Sequence, residues 1–103
     1  MPIVNTPTQA PADDLDKTGC VLMEAADIVD VRWRQHGYGY DGGPRCALGA
    51  ISEICEVDYN LKEAAIERLG AFLGGSIQLW NDTPGRKAAE VSAAMRAAAR
   101  TRP

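Results

Sequence analysis

Cys46, His36 and the pair Asn81-Asp82 are the residue types from which a thiol nucleophile, its base and an orienting group are built. Cys46 falls where a helix is expected to begin, a place at which the helix dipole lowers a thiol pKa, and Arg45 adds positive charge beside it. His36, the only histidine, could reach the thiol across a glycine-rich loop, with Asp82 or Asn81 orienting the imidazole. Against this stands a plainer reading, since a single cysteine in an apolar helix is usually a small buried hydrophobe. Nothing in the residue order brings the three groups together. No catalytic residue is therefore assigned, and a small thiol enzyme using Cys46 is kept as an alternative. The three cysteines, Cys20, Cys46 and Cys55, lie 26 and 9 residues apart with one histidine in the chain, which matches no zinc pattern. Neither a metal nor a cofactor is expected. An odd cysteine count without a recognisable leader argues for a reducing cytoplasm.

Three further groups carry chemistry of a different kind. Trp80-Asn81-Asp82 reads as a structural motif: the indole fills the core, and the two polar side chains accept hydrogen bonds from the turn and from the first free amides of the last helix. A polar pocket in which Asp82 and Arg86 hold a ligand is the functional alternative. Trp33, Tyr38 and Tyr40 flank or sit on the glycine-rich segment His36–Pro44. Aromatic side chains there are suited to anchoring an interface, because they bury much area at small entropic cost, or to folding back as a lid. Arg86, Arg96 and Arg100 lie in a basic C-terminal stretch: residues 86–103 hold five bases and one acid, whereas residues 1–60 hold four bases and ten acids. The whole chain has a net charge of −3, and no aromatic side chain is interleaved with these arginines, so any nucleic-acid binding would be weak or local.

The elements that position these groups read as helices. The 103 residues, 46% apolar and 24% charged, suit one small globular domain. Residues 1–17, with three prolines and no apolar period, read as a flexible arm, and residues 18–103 as one helical domain. Thr18 is the expected cap of a first helix running to Gln35 or His36, with Leu22, Ala26, Val29 and Trp33 on one face and Gly37 as its stop. Asp30 and Arg34 are spaced to pair along it. Arg45 to Cys55 reads as a short second helix, apolar on most sides and hence central, with Gly49 permitting close approach by a neighbouring helix. Asn60 with Glu63 suggests the start of a third helix carrying Leu61, Ala65, Leu69 and Phe72. Gly74-Gly75 interrupts it, and Ser76 can cap a further turn through Trp80. Residues 81–85 are turn chemistry, and an alanine-rich helix follows over about Arg86–Arg100. No run of apolar residues is long enough to span a membrane.

The segments Arg45-Cys46-Ala47-Leu48-Gly49-Ala50-Ile51 and Trp80-Asn81-Asp82-Thr83-Pro84-Gly85-Arg86, the second followed by Ala89-Glu90-Val91, resemble a family of small actinobacterial and actinobacteriophage proteins of unknown function. Leu22-Met23-Glu24-Ala25-Ala26-Asp27 is similar to the helix that precedes them in that family. The resemblance covers roughly residues 20–100. The loop at residues 36–44 is short where relatives carry a longer insert, and Lys87 stands where a threonine cap is common. What the resemblance implies is a compact helical domain, with a phage origin as its finer form; it brings no activity with it.

The expected fold is an all-α, irregular bundle of four to five helices behind a flexible N-terminal arm, packed around the second helix. The expected core is Leu22, Ala26, Val29, Leu48, Ile51, Leu69, Phe72, Trp80, Val91 and Met95. The expected function is a non-catalytic protein-interaction module, in its finer form a phage-encoded modulator of a host protein. Its interaction candidates are Trp33, Tyr38, Tyr40, Arg86, Arg96 and Arg100. A protein partner is expected, and so is self-association, because a core this small gives marginal stability. An auxiliary nucleic-acid binder using the C-terminal arginines is the second alternative.

Overall fold

The computed structural model describes residues 15–101. Five helices follow one another: α1 (Lys17–Arg32), α2 (Ala47–Cys55), α3 (Tyr59–Leu73), α4 (Ile77–Asn81) and α5 (Ala88–Ala99). No strand occurs among the described residues, so the chain is an all-α bundle. Four of the five helices start at a side chain that accepts one of their free amides. Asp16 does this for α1 through the amide of Gly19 at 2.8 Å, in place of Thr18. Asp58 caps α3 through the amide of Leu61, two residues ahead of the expected Asn60. Ser76 caps α4 as expected. At α5 the carboxylate of Glu90 turns back to the amide of Lys87 at 2.9 Å. Of the arm expected over residues 1–17, positions 1–14 lie outside the described residues. Asp16 and Lys17 already belong to α1 and its cap, and Asp16 pairs with Arg68 of α3 at 2.6 Å.

The core is built from α1 outward, not around α2. One face of α1 (Leu22, Ala26 and Val29) is sealed by Val91 and Met95 of α5, Ile51 of α2 and Leu69 of α3. The reason is steric. The small side chains of α1 and α5 let these two helices lie close along their length, whereas α2 has only nine residues to offer. Three expected core members sit differently. Leu48 and Trp80 are half-buried against the cluster, and Phe72, near the end of α3, is 45% exposed. α3 stops directly after it, because Gly74 takes the left-handed conformation (φ 79°), and no later helix is placed to cover that ring.

α1 ends at Arg32, short of the expected Gln35 or His36. From Trp33 the chain is extended, and the backbone bonds of the next turn go to Arg45: its amide donates to the Arg32 carbonyl at 2.7 Å, and the Arg34 amide donates to its carbonyl at 3.1 Å. The segment from residue 33 to residue 45 is thus a closed loop whose two ends touch. Asp30 does not pair with Arg34; it pairs with Arg96 of α5, which also reaches Asp27, both at 2.7 Å.

Gly49 permits a close approach, but by this loop and not by a helix. A β-carbon there would collide with the backbone carbonyl of Tyr38. Alanine in an open helix interior normally gains up to about 1 kcal/mol over glycine. Gly49→Ala is expected to reverse that sign and lose about 1–2 kcal/mol, because overpacking against backbone is not relieved by a rotamer change. Urea denaturation checks the sign directly.

Candidate functional site

The short helix α4 delivers Asn81 to the point where α1, the loop and α2 meet. Its side chain is fully buried and all four of its hydrogen-bonding positions are used. The amide oxygen accepts from Trp33 Nε1 at 2.7 Å and from the backbone amide of Ala47 at 3.1 Å. The amide nitrogen donates to the Arg34 carbonyl at 3.1 Å and to Asp82 Oδ1 at 3.0 Å. Asn81 therefore acts as a cap, as its type suggested, but for the first amide of α2 and not for the last helix. Gln35 reinforces the junction by donating to the carbonyls of Asn81 and Thr83.

Asp82, Gln78, His36 and Cys46 form a chain leading away from Asn81. Asp82 Oδ1 accepts from the backbone amide of His36 at 2.8 Å and Oδ2 from Gln78 Nε2 at 2.9 Å, and the imidazole Nδ1 stands 3.8 Å from the same Oδ2. The His36 amide first, then the side-chain amides of Asn81 and Gln78, hold the Asp82 carboxyl below the usual aspartate range. His36, whose amide makes that bond, adopts φ 61°, in the left-handed region. The thiol joins only through Gln78: Cys46 Sγ donates to Gln78 Oε1 at 3.6 Å. The three groups a thiol enzyme would need are gathered in one region, yet Gln78 stands in the line between sulfur and carboxylate.

The state of the thiol argues against nucleophilic use. Cys46 is buried and caps α2, its sulfur accepting from the Gly49 amide at 3.3 Å. Burial pushes its pKa up, and the amides at the helix start do not offset this. The expected lowering by the dipole is thus overridden by desolvation. In the folded protein, iodoacetamide is expected to modify the exposed Cys20 first. In a Cys20→Ser variant, Cys46 is expected to label slowly, with a half-rise above the ordinary thiol pKa. Mass spectrometry of the alkylated peptides against pH reads this, and a half-rise at or below the ordinary value would restore the nucleophile.

The loop is fastened from its other side by Glu53 of α2. Its carboxylate accepts from Arg32 (2.6 and 3.1 Å) and from Arg45 Nε (3.0 Å). Arg32 continues to the Gly43 carbonyl at 2.6 Å, while Arg45 reaches the Tyr38 carbonyl at 3.4 Å and the Asp41 carboxylate. The Arg32 guanidinium, followed by Arg45, brings the Glu53 pKa down from 4.5 to about 2. This clamp leaves the rings of Tyr38 and Tyr40 outside, 59% and 65% exposed.

The other expected site residues divide clearly. The Trp33 indole is half-buried and committed to Asn81. Arg86 lies flat against Trp80, 3.9 Å from the ring centre, and donates to its carbonyl. Arg96 is paired with two α1 acids, and Arg100 turns to Met23 and the Arg96 carbonyl. Sequence reasoning missed Gln78, Gln35 and Glu53. Gln78 and Asp82 are four residues apart and so share a helix face, which is a readable signal. Glu53 shows only as a polar residue in an apolar helix. Among the described residues, no group of three or more His, Cys, Asp or Glu side chains is placed to hold a metal ion, and no helix is long and apolar enough to cross a membrane.

Fold and site together define a small all-α domain in which one buried asparagine and one clamped carboxylate fix a glycine-rich loop to the body. The chain belongs to a family of unknown function, DUF6197, whose model matches residues 7–101. No curated protein and no solved structure matches it.

Proposed function

We propose that the protein is a non-catalytic protein-interaction module that works by holding Tyr38 and Tyr40 in a fixed presentation. The observation that carries this reading is the contrast along one loop. Its backbone is tied by Asn81, by Asp82 and, through Arg32 and Arg45, by Glu53, while its two tyrosines stay largely exposed. Ordering a loop in advance removes much of the entropic cost of binding, and tyrosine supplies contact area with few torsions to freeze. The buried, helix-capping thiol supports the same reading over a thiol enzyme. The engagement of Arg96 with Asp27 and Asp30, and of Arg86 with Trp80, supports it over a nucleic-acid binder. The finer form of the proposal is a module acting in an actinobacterial cytoplasm, phage-encoded and directed at a host protein; three free thiols suit a reducing compartment.

The experiment is a comparative pull-down from actinobacterial lysate. The intact chain and a Tyr38→Ala/Tyr40→Ala variant serve as paired baits, with circular dichroism showing both folded. A protein retained by the first and reduced at least tenfold on the second is the expected result, in line with the weight of buried aromatic anchors. Equal retention by both baits overturns the reading.

A further inference from the structure

The corner where α2 meets α3 carries a feature that exposed tyrosines alone do not explain. Tyr38 borders a cleft of about 280 Å3, lined also by Leu48 and Ser52 of α2 and by Lys62, Glu63 and Ile66 of α3. Leu48 and Ile66 are half-buried and packed against the core, and they give the cleft an apolar part beside the polar Ser52, Lys62 and Glu63. The volume falls below the usual range for drug-sized ligands and suits a side chain or two. The stretch that leads into α3 and forms its wall is net negative: Glu63 lines the cleft, and Glu56, Asp58 and Glu67 stand exposed in the same stretch, none of the four in an ion pair among the described residues. Lys62, the single base in that stretch, lies over the Tyr59 ring, 5.3 Å from its centre. Val57 and Tyr59, 82% and 65% exposed, extend the apolar surface beside the cleft.

We propose that this cleft is the partner's docking point and that the partner offers a basic segment, an apolar side chain set between lysines or arginines. This rests on the interaction-module reading and names the chemistry of the partner. The apolar side chain fills the space between Leu48, Ile66 and Tyr38. The flanking cations meet Glu56, Asp58 and Glu63, and the exposed Tyr38 is open to a guanidinium. An acidic segment meets like charge at the rim. The C-terminal arginines of a second copy do not supply such a segment: Arg86 is stacked on Trp80, Arg96 is paired with Asp27 and Asp30, and Arg100 turns to Met23 and the Arg96 carbonyl.

The test titrates the full chain, labelled with 15N, with three blocked pentapeptides: Lys-Arg-Leu-Arg-Lys, the same with glycine in place of leucine, and Glu-Glu-Leu-Glu-Glu. The first is expected to shift the amides of Leu48, Ser52, Lys62 and Ile66, the second to bind at least threefold more weakly, and the third to leave them unmoved. A Glu56→Gln/Glu63→Gln variant, altered only at exposed positions, is expected to weaken the first peptide about fivefold, the scale of two surface charge contacts. Equal shifts from the acidic peptide, no shift at millimolar peptide, or shifts confined to another face overturn the cleft as the docking point. None of these touches the paired pull-down, which alone decides whether the tyrosine loop is an interaction surface.

Discussion

Asn81→Leu is expected to lower the unfolding free energy by about 4 kcal/mol and the melting temperature by about 20 °C, on the scale of a domain of this size. Leucine has the same branching and the same number of side-chain heavy atoms, so no cavity opens. It comes from three groups left in the interior without partners: the Trp33 indole N–H, the Ala47 amide and the Arg34 carbonyl. An unpaired buried polar group costs about 1–3 kcal/mol, far more than a satisfied one contributes, because its water is lost and nothing replaces it. Asn81→Asp separates the charge effect from the shape effect. It keeps the acceptors, removes both donors and sets a second carboxylate against Asp82, 3.0 Å from the present amide nitrogen. That variant is expected to be unstable near neutral pH and to recover part of its stability as the pair takes up a proton in acid. Thermal and urea denaturation at two pH values measures both effects. A loss under 1 kcal/mol for Asn81→Leu would mean that water takes over the bonds and that the junction does not hold the loop.

The helices were legible because they rest on local rules. The spacing of Leu22, Ala26 and Val29, the cap at Ser76 and the glycines at positions 74 and 75 act within a few residues, and each stands close to where those rules place it. What could not be read are the decisions made between distant segments. α1 ends at Arg32 because Arg45, thirteen positions on, takes over its backbone bonds, and no propensity at residues 33–36 announces that. Asn81 was recognisable as a capping side chain, but its client is α2, and only the folded chain shows that α4 lies across the start of that helix. The sign of the Cys46 shift failed for a related reason. The dipole at a helix start is a sequence-level feature, whereas the burial that outweighs it is a property of the assembled core. Phe72 shows the same limit from the apolar side: the period of α3 points it inward, and none of the described residues covers it fully.

Glu53→Ala is expected to cost about 3 kcal/mol, and Glu53→Gln roughly half of that, because glutamine keeps an acceptor and loses only the charge. The figure is set at the low end for a broken ion pair, since a fifth of the Glu53 side chain still touches solvent. The damage falls mainly on Arg45, whose side chain is 9% exposed and, among the described residues, retains only Asp41 as a counter-charge, itself 88% exposed. The pH dependence follows from the sign of the shift. The folded protein holds Glu53 at about 2, below its ordinary 4.5. The stability it contributes is therefore complete above pH 4.5 and is withdrawn as the pH falls from there toward 2. The gap between wild type and Glu53→Gln is expected to be constant from pH 7 down to about 4.5 and to close by pH 2, a comparison in which the carboxylates common to both proteins cancel. Hydrogen exchange at the Arg45 amide, which bonds the Arg32 carbonyl at the neck of the loop, is expected to speed up in the variant while the amides of α5 hold their rates. A loop released in this way no longer presents Tyr38 at a fixed position over Leu48 and Ile66, so the same substitution is expected to weaken the basic pentapeptide although Glu53 does not line the cleft. Unchanged peptide affinity alongside faster exchange at Arg45 would show that the clamp stabilises the domain without presenting its tyrosines.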